Sequence, residues 1–216
     1  RYETFVVREV VPALDRRLRT LATPRHRGVC GKSSGGYGSL MLGMKHPDLF
    51  GALASHSGDA YFDYCYAYDF VKCWDGLCDA GGVREWLAKV RRKAKFTHQD
   101  TLVLNIVAMA ACYSPSRRSP WGFDLPFDLE TGEMDEKVMA RWRKVDPVGA
   151  CRTYARNLRK LRGIFLDCGL RDEFAIHPGT RILAQRMRAL GLKVVHEEFD
   201  DGHMGISYRY DRSFAW

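Results

Sequence analysis

A serine lies between two glycines in the segment from Gly31 to Gly36, at the spacing Gly-x-Ser-x-Gly. An apolar run precedes this segment and a helical pattern follows it, so the serine would occupy a sharp turn between a strand and a helix. Glycine at both flanks would remove Cβ atoms that collide with neighbouring chain, and the start of the helix would favour developing negative charge. Of the two adjacent serines, only Ser33 has both glycines, because Lys32 stands two residues before Ser34. The pattern predicts Ser33 as a nucleophile, with a glycine-rich turn without chemistry as the alternative.

A nucleophilic serine needs a general base, and the base needs a carboxylate that orients it. With this type of turn the three groups follow one another in the order serine, acid, histidine. Of the seven histidines, only His196 and His203 lie clearly beyond the candidate acids. His196 falls inside a strand pattern, whereas His203 follows the end of that strand, at the edge where parallel sheets hold their sites. We therefore predict His203 as the base; a loop histidine without chemistry is the alternative.

The candidate acid follows the preceding strand pattern in the same way. Asp172 lies in the loop after that strand, whereas Asp167 is still within the strand. Glu173 is a local rival, and Asp200 and Asp201 are rivals close to the histidine. The position at the carboxyl end of a strand favours Asp172 as the group that orients the imidazole.

Strand and helix patterns alternate along most of the chain. Apolar runs typical of buried strands cover residues 28–31, 51–57, 163–167 and 193–199, and helical patterns cover residues 3–21 (with a kink expected at Pro12), 33–44, 150–162 and 180–190. This alternation predicts an α/β fold with a mostly parallel sheet flanked by helices. It stops between residues 60 and 147, which are rich in aromatic residues. We expect a cap over a site there and not a separate domain.

Composition and charge exclude several classes of protein. The 216 residues are 46% hydrophobic and 28% charged, as in ordinary globular proteins, which excludes collagen-like, disordered and small disulfide-scaffold chains. No apolar run is long enough to span a bilayer. The net charge of +8 is concentrated at residues 84–95 and 141–162, which have helical patterning. We therefore expect solvated basic helix faces and no nucleic-acid partner.

The cysteines indicate a reducing environment. There are seven of them, an odd count without a CxxC pair, so we expect no zinc site and no other metal or cofactor. Mostly reduced thiols favour a cytoplasmic location, with one bridge among Cys65, Cys73 and Cys78 as the alternative. Cys30 and Cys168 fall in buried strand patterns, where formation of a thiolate is disfavoured, which argues against a thiol enzyme.

At these motifs the sequence resembles the putative esterase family of α/β-hydrolases, which includes esterase D, antigen 85 mycolyltransferases, and feruloyl, acetylxylan and enterochelin esterases. The resemblance rests on GKSSGGYGSL at 31–40, HPDLF at 46–50, SHSGD at 55–59, LDCGLRDEF at 166–174 and DDGHMGISY at 200–208. It implies Ser33 as nucleophile, Asp172 as triad acid, His203 as triad base, and the backbone N–H of Ser34 as an oxyanion donor. Residues 1–59 and 148–216 would then be the hydrolase core, and residues 60–147 a helical and aromatic cap insertion.

The resemblance also implies that part of the fold is missing. Several strands, and the loop that gives the second oxyanion donor, precede the nucleophile in this fold, but only 32 residues precede Ser33. We therefore expect the chain to be a carboxyl-terminal portion of the fold, partnered by its own amino-terminal segment and weakly active without it. A rewired minimal hydrolase is the alternative.

The expected function is a serine esterase that hydrolyses a small-molecule carboxylic ester. An acyltransferase of the same fold and a catalytically inactive binding module are the alternatives. Trp121 and Phe123 could line a pocket for the acyl or alcohol group, because ligand sites are mostly apolar, although most rings of the insertion could equally form its core. Lys32, next to the predicted nucleophile, could contact the substrate or only solvent.

Overall fold

The computed structural model describes residues 2–216, which divide into two compact units. Residues 2–61 and 147–216 form the first, which we call the sheet unit. Phe62–Asp146 form the second, which we call the inserted unit. The helices are α1 (Tyr2–Phe5), α2 (Val11–Arg17), α3 (Ser34–Lys45), α4 (Phe62–Cys65), α5 (Phe70–Ala80), α6 (Val83–Val90), α7 (His98–Tyr113), α8 (Glu136–Arg143), α9 (Pro147–Thr153), α10 (Ala155–Leu158), α11 (Ile176–Ala189) and α12 (Arg209–Ala215).

Four parallel strands form the sheet: β1 (Gly28–Lys32), β2 (Ala52–His56), β3 (Gly163–Gly169) and β4 (Val195–Phe199). They lie side by side in chain order, so β1 and β4 are the outer strands. β3 is buried along its whole length, as expected of a strand covered on both faces. Lys32 pairs with His56, and His56 with Asp167, so β1 and β2 end at the level of Asp167, and β3 continues two residues further, to the level of the end of β4. The predicted α/β fold with a parallel sheet and flanking helices is confirmed.

The core of the sheet unit lies between one face of the sheet and α3, α9, α10 and α11. Leu40 and Met44 of α3, Leu53 of β2, Leu166 of β3 and Leu183 of α11 are all nearly fully buried in it. On the opposite face α12 packs against the sheet. There the ring of Trp216 lies over Gly163, where an added Cβ would come within 2.3 Å of it. The sheet is therefore covered on both faces around β3.

The amino-terminal helix is shorter than the pattern predicts. A π-helical turn at Val6–Val10 separates α1 from α2, directly before Pro12, which has no N–H group to continue the helical bonding. The segment ends at Arg17 and not at residue 21. Leu18 and Leu21 are 59% and 65% exposed, so the apolar pattern here continues beyond the helix without a core to pack against.

The inserted unit has an aromatic core of its own. Trp142 is fully buried, and the rings of Tyr66, Phe70 and Tyr113 lie 5.5–5.8 Å from its ring. Its Nε1–H donates to the Ser114 hydroxyl at 2.9 Å, which satisfies the one polar atom of the indole. Most rings of the insertion are thus used in packing within it.

The two ends of the inserted unit are hydrogen-bonded to each other. Its first and last residues lie close together, because the backbone N–H of Phe62 donates to Oδ2 of Asp146 at 2.8 Å.

Among residues 2–216, none of the helices combines the length and the apolar character that crossing a bilayer requires.

Candidate active site

Ser33 forms the tip of the turn between β1 and α3. Its backbone has φ of +57° and ψ of −129°, a conformation that residues with a side chain rarely adopt. The N–H of Ser33 donates to the carbonyl of His56 at 2.9 Å, and its carbonyl accepts from the N–H of Tyr37 at 3.0 Å. A neighbouring strand and the following helix therefore hold the strained backbone, and the side chain projects at the carboxyl edge of the sheet.

Glycines permit this turn, although not at both of the predicted positions. An added Cβ at Gly31 would lie 2.3 Å from the carbonyl oxygen of Gly35, whereas one at Gly35 would meet no atom within 4 Å. At Gly36 an added Cβ would lie 2.7 Å from Cα of Gly58. The expectation that glycine is needed at both flanks is therefore wrong for Gly35: close approach requires glycine at 31 and at 36.

The structure brings Ser33, His203 and Asp172 together in one hydrogen-bonded chain. Nε2 of His203 lies 2.9 Å from Oγ of Ser33, and Nδ1 lies 2.8 Å from Oδ2 of Asp172. A carboxylate can only accept, so Nδ1 carries the proton and the lone pair of Nε2 faces the serine hydroxyl. His203 and Asp172 are 3% and 5% exposed, so both are shielded from water. This arrangement can take a proton from the hydroxyl and stabilise the imidazolium that results.

Asp172 is held as a charged carboxylate. Burial raises the pKa of Asp172, but the hydrogen bond and charge of His203, the N–H of Phe174 and the thiol of Cys168 together bring it below its usual value. The Phe174 N–H donates to Oδ1 at 3.0 Å, and the Cys168 thiol lies 3.5 Å from Oδ2. The ring of Phe174 also meets the imidazole edge to face, with centroids 4.7 Å apart. Both residues lie in the segment LDCGLRDEF, but the sequence does not show that they contact Asp172 and His203.

The other predicted site residues occupy two places. Ser34 is the first residue of α3, where N–H groups have no partner within the helix, and the half-buried Lys32 ends β1 on the other side of Ser33. Trp121 and Phe123 belong to the inserted unit and line a concave region there together with Leu125 and other residues. Their role in substrate binding stays a prediction.

The cysteines differ from one another in exposure. Cys30, Cys78 and Cys112 are exposed, whereas Cys65, Cys73, Cys151 and Cys168 are buried. Cys30 is exposed, so its predicted burial is wrong; it lies on an outer strand of the sheet. Cys168 is buried, and burial together with the charge of Asp172 raises the pKa of its thiol. A buried, protonated thiol is a poor nucleophile.

A second serine, histidine and aspartate are hydrogen-bonded in series on the face of the sheet that α12 covers. Nε2 of His56 lies 3.0 Å from Oγ of Ser213, and its Nδ1 lies 2.8 Å from Oδ1 of Asp167. The charge of Asp167 is compensated by Arg209, whose Nε donates to it at 2.9 Å. The Ser213 hydroxyl donates to the carbonyl of Tyr210, and Ser213 itself lies in the last turn of α12, where carbonyl groups would repel an oxyanion. This series anchors α12 to the sheet.

Within the part of the chain that the structure describes, no group of three or more His, Cys, Asp and Glu side chains is placed to hold a metal ion.

Comparison with known proteins points to one family. The family model described as Putative esterase matches residues 1–205. A curated relative, Esterase Rv1288 of Mycobacterium tuberculosis, is 31% identical over 83 residues, which are 38% of this chain and 18% of that protein. The chain thus spans less than a fifth of the curated relative that it matches.

Solved structures share the fold at low sequence identity. A ferulic acid esterase matches with a TM-score of 0.55 and 18% identity, over 100% of this chain and 59% of its own. An S-formylglutathione hydrolase (FrmB) from Staphylococcus aureus matches with a TM-score of 0.55 and 10% identity, over 99% of this chain and 61% of its own. MPT51 of Mycobacterium tuberculosis matches with a TM-score of 0.51 and 16% identity, over 93% of this chain and 60% of its own. At these identities the matches establish the fold.

Proposed function

Because the chain belongs to the family described as Putative esterase, we propose that it is a serine esterase that hydrolyses a carboxylic ester through an acyl-enzyme on Ser33. His203 is the general base, and Asp172 is the acid that orients it. The observation that carries the proposal is the hydrogen-bonded chain from Ser33 through His203 to Asp172, with distances of 2.9 Å and 2.8 Å. The strained turn at Ser33 supports it, since such strain is retained where function requires it.

The proposed reaction follows from the positions of these groups. His203 Nε2 takes the hydroxyl proton as Oγ of Ser33 attacks the ester carbonyl, and the N–H of Ser34 stabilises the oxyanion. Asp172 accepts from Nδ1–H throughout and stabilises the imidazolium. The leaving alkoxide takes the proton from Nε2 and departs as the alcohol. Water, deprotonated by the same imidazole, then attacks the acyl-enzyme and releases the acid and Ser33.

The test is covalent labelling of Ser33. A fluorophosphonate should label the wild-type chain once, and Ser33→Ala should abolish labelling and lower kcat for a p-nitrophenyl ester by on the order of 10⁶. Ser213→Ala is the matched control, because Ser213 is hydrogen-bonded to His56, which in turn is hydrogen-bonded to Asp167; its labelling should be unchanged. Full labelling of Ser33→Ala would overturn the proposal.

Two alternatives are separated by the same reagents. An acyltransferase would give the ester of an added acceptor alcohol as its product, whereas an esterase gives the free acid. An inactive binding module would not react with the fluorophosphonate. A cytoplasmic location stays a prediction from the odd number of cysteines and the lack of a CxxC pair.

We also propose that Trp121 and Phe123 contribute to substrate binding. If they bind the acyl or alcohol group, Trp121→Ala should raise KM several-fold for aromatic or long-chain esters and leave the labelling of Ser33 intact. Phe123 is 5% exposed and Trp121 is more accessible, so Trp121 is the cleaner variant. An unchanged KM across p-nitrophenyl esters of graded chain length would assign Trp121 to packing alone. Lys32→Ala tests the remaining candidate in the same assay.

We also propose that polypeptide upstream of residue 1, in a longer protein, adds a strand to β1 and supplies the second oxyanion donor. The support is the outer edge of β1, with which no strand pairs within residues 2–216. Open sheet edges of this kind are usually covered or protected. Co-expression with the upstream sequence should raise both the thermal midpoint and kcat. No change in either would contradict this part of the proposal.

A further inference from the structure

We propose that Glu173 is a positioning residue, whose carboxylate anchors the backbone of His203 beside Ser33. This inference rests on the proposed function, because it assigns a role within the same site. Glu173 is a rival for the orienting acid on sequence grounds alone. In the structure Asp172 occupies the imidazole Nδ1, and Glu173 bonds to a different atom of the same histidine.

The key contact is short and involves a charged acceptor. Oε2 of Glu173 accepts a hydrogen bond from the backbone N–H of His203 at 2.7 Å. Bonds to an ionised acceptor are shorter and roughly twice as strong as neutral ones. Together with Asp172 at Nδ1 and the Phe174 ring at the imidazole, three consecutive residues hold three different parts of one histidine. The acid loop thus fixes both the ring and the backbone of His203.

Glycines allow the two loops to approach closely enough for this contact. An added Cβ at Gly202 would lie 2.7 Å from Oε1 of Glu173, and one at Gly169 would lie 2.4 Å from the carbonyl of Asp201. The N–H of Arg171 donates to that same carbonyl at 3.0 Å. The Glu173 carboxylate therefore occupies the space that a side chain at position 202 would need.

The carboxylate of Glu173 also places a negative charge near His203. Arg171, Asp172, Glu173, Asp200 and Asp201 are the charged groups of the two loops. Arg171 pairs with Asp200, and Asp201 accepts from the N–H of Gly202, so these groups have other partners. Asp172 and Glu173 are the carboxylates that bond to His203. Both place negative charge beside the histidine, and water screens the charge of the exposed Glu173 more strongly.

Two substitutions at Glu173 separate anchoring from charge. Glu173→Ala removes the acceptor, so kcat should fall by about 10- to 100-fold with KM within about two-fold, as expected of a displaced base. Glu173→Gln keeps an acceptor oxygen without the charge. Its kcat should stay within about three-fold of wild type, because the amide oxygen can still accept from the backbone N–H of His203.

Gly202→Ala tests the same contact from the other side. Its methyl group would displace the flexible Glu173 carboxylate without removing its charge, so kcat should fall in the same direction as in Glu173→Ala. Glu9→Ala, which removes an exposed carboxylate elsewhere in the sheet unit, is the control for net charge. A kcat for Glu173→Ala within two-fold of wild type would overturn the proposal.

A measurement independent of activity distinguishes failure of this inference from failure of the proposed function. The backbone amide proton of His203 should resonate downfield in the wild type and in Glu173→Gln, and should move upfield and exchange faster in Glu173→Ala. An amide signal unchanged in Glu173→Ala would show that the anchor is absent, even if Ser33 is the nucleophile. Retained activity in Ser33→Ala would overturn the proposed function and leave the anchor standing.

Discussion

The carboxylate of Asp172 is buried yet charged, and its neighbours decide how it responds to acid. Three donors meet its two oxygens: the imidazole of His203, the N–H of Phe174 and the thiol of Cys168. Burial alone would favour the protonated form, but these donors outweigh it and hold the pKa of Asp172 below the usual value. The charge of this residue is therefore a source of stability in the folded state.

This gives a prediction for unfolding in acid. A lowered pKa in the folded state contributes stability that is complete above the unfolded pKa of about 3.9 and is lost as the pH falls through the folded value. Asp172→Asn should therefore lower the free energy of unfolding at pH 7, and the deficit should shrink below about pH 4. Urea unfolding of both chains at pH 7 and pH 3 measures it. A deficit that is the same at both pH values would contradict the assignment of charge.

Sequence reasoning found the three residues that meet at the site, and it did so from their order and position. Ser33 has a motif, and Asp172 and His203 each follow a strand at the same sheet edge. It could not find the second series at Ser213, because His56 is 157 residues away in the chain and no motif links them. Nor could it assign Glu173 to the His203 backbone, since that depends on how two loops approach.

At the scale of elements, the turn from β1 to α3 depends on Gly31 more than on Gly35. Gly31→Ala should lower the stability by about 1–3 kcal/mol and reduce labelling of Ser33, because its Cβ would collide with backbone of Gly35. Gly35→Ala should be neutral, or stabilising by up to about 1 kcal/mol, since there is open space and alanine favours helix. Thermal unfolding and fluorophosphonate labelling of the pair decide this. Equal effects at both positions would contradict the geometry.

The longest helix of the inserted unit begins with a reciprocal cap. The Thr97 hydroxyl accepts from the N–H of Asp100, and the Asp100 carboxylate accepts from the N–H of Thr97 and from Lys93. These bonds, with that of Lys93 the largest contribution, lower the pKa of Asp100 to about 2. The start of α7 is therefore sensitive to acid only well below neutral pH.

Loss of this cap should destabilise the inserted unit. Thr97→Ala should cost about 1 kcal/mol at pH 7. The contribution of Asp100 is present above about pH 4 and is lost as the pH falls towards about 2, so Asp100→Asn should remove this acid-dependent part. Amide hydrogen exchange of α7 at pH 7 and pH 3 measures both. Asp79→Asn, at an exposed carboxylate of the same unit, is the control and should leave exchange unchanged.

The elements themselves were more predictable than their ends. The positions of the four strands were predictable because short apolar runs between helical patterns indicate parallel strands. Their predicted burial is right for β2 and β3 and wrong for the outer strands β1 and β4, which are half-buried or exposed over most of their length. The end of α2 was not, because the apolar residues Leu18 and Leu21 continue the helical spacing beyond Arg17 without packing. Helix ends depend on tertiary contacts that spacing alone does not reveal.

At the scale of the whole molecule, the three residues of the candidate site lie in the sheet unit, although the inserted unit separates Ser33 from the other two along the chain. The sheet unit is therefore assembled from two distant stretches, and β2 pairs with β3 across the whole insertion. Such long-range pairing is slow to form and makes folding of this unit dependent on closing a long loop.

The distribution of thiols gives a prediction for the whole molecule. A thiol reagent at neutral pH should react quickly with the exposed Cys30, Cys78 and Cys112. The remaining four are buried and should react only on unfolding, which brings the total to seven. Among them, burial and the charge of Asp69 raise the pKa of Cys73 to about 12, which disfavours its thiolate further. A total below seven in the unfolded, unreduced chain would indicate a disulfide.

The hydrogen bond between the N–H of Phe62 and the carboxylate of Asp146 holds the two ends of the insertion next to each other. An inserted segment whose ends are adjacent can be lengthened, shortened or replaced by recombination while the strands that flank it keep their pairing register. A sheet unit of this kind can therefore carry insertions of different length and composition without rearrangement of its own strands.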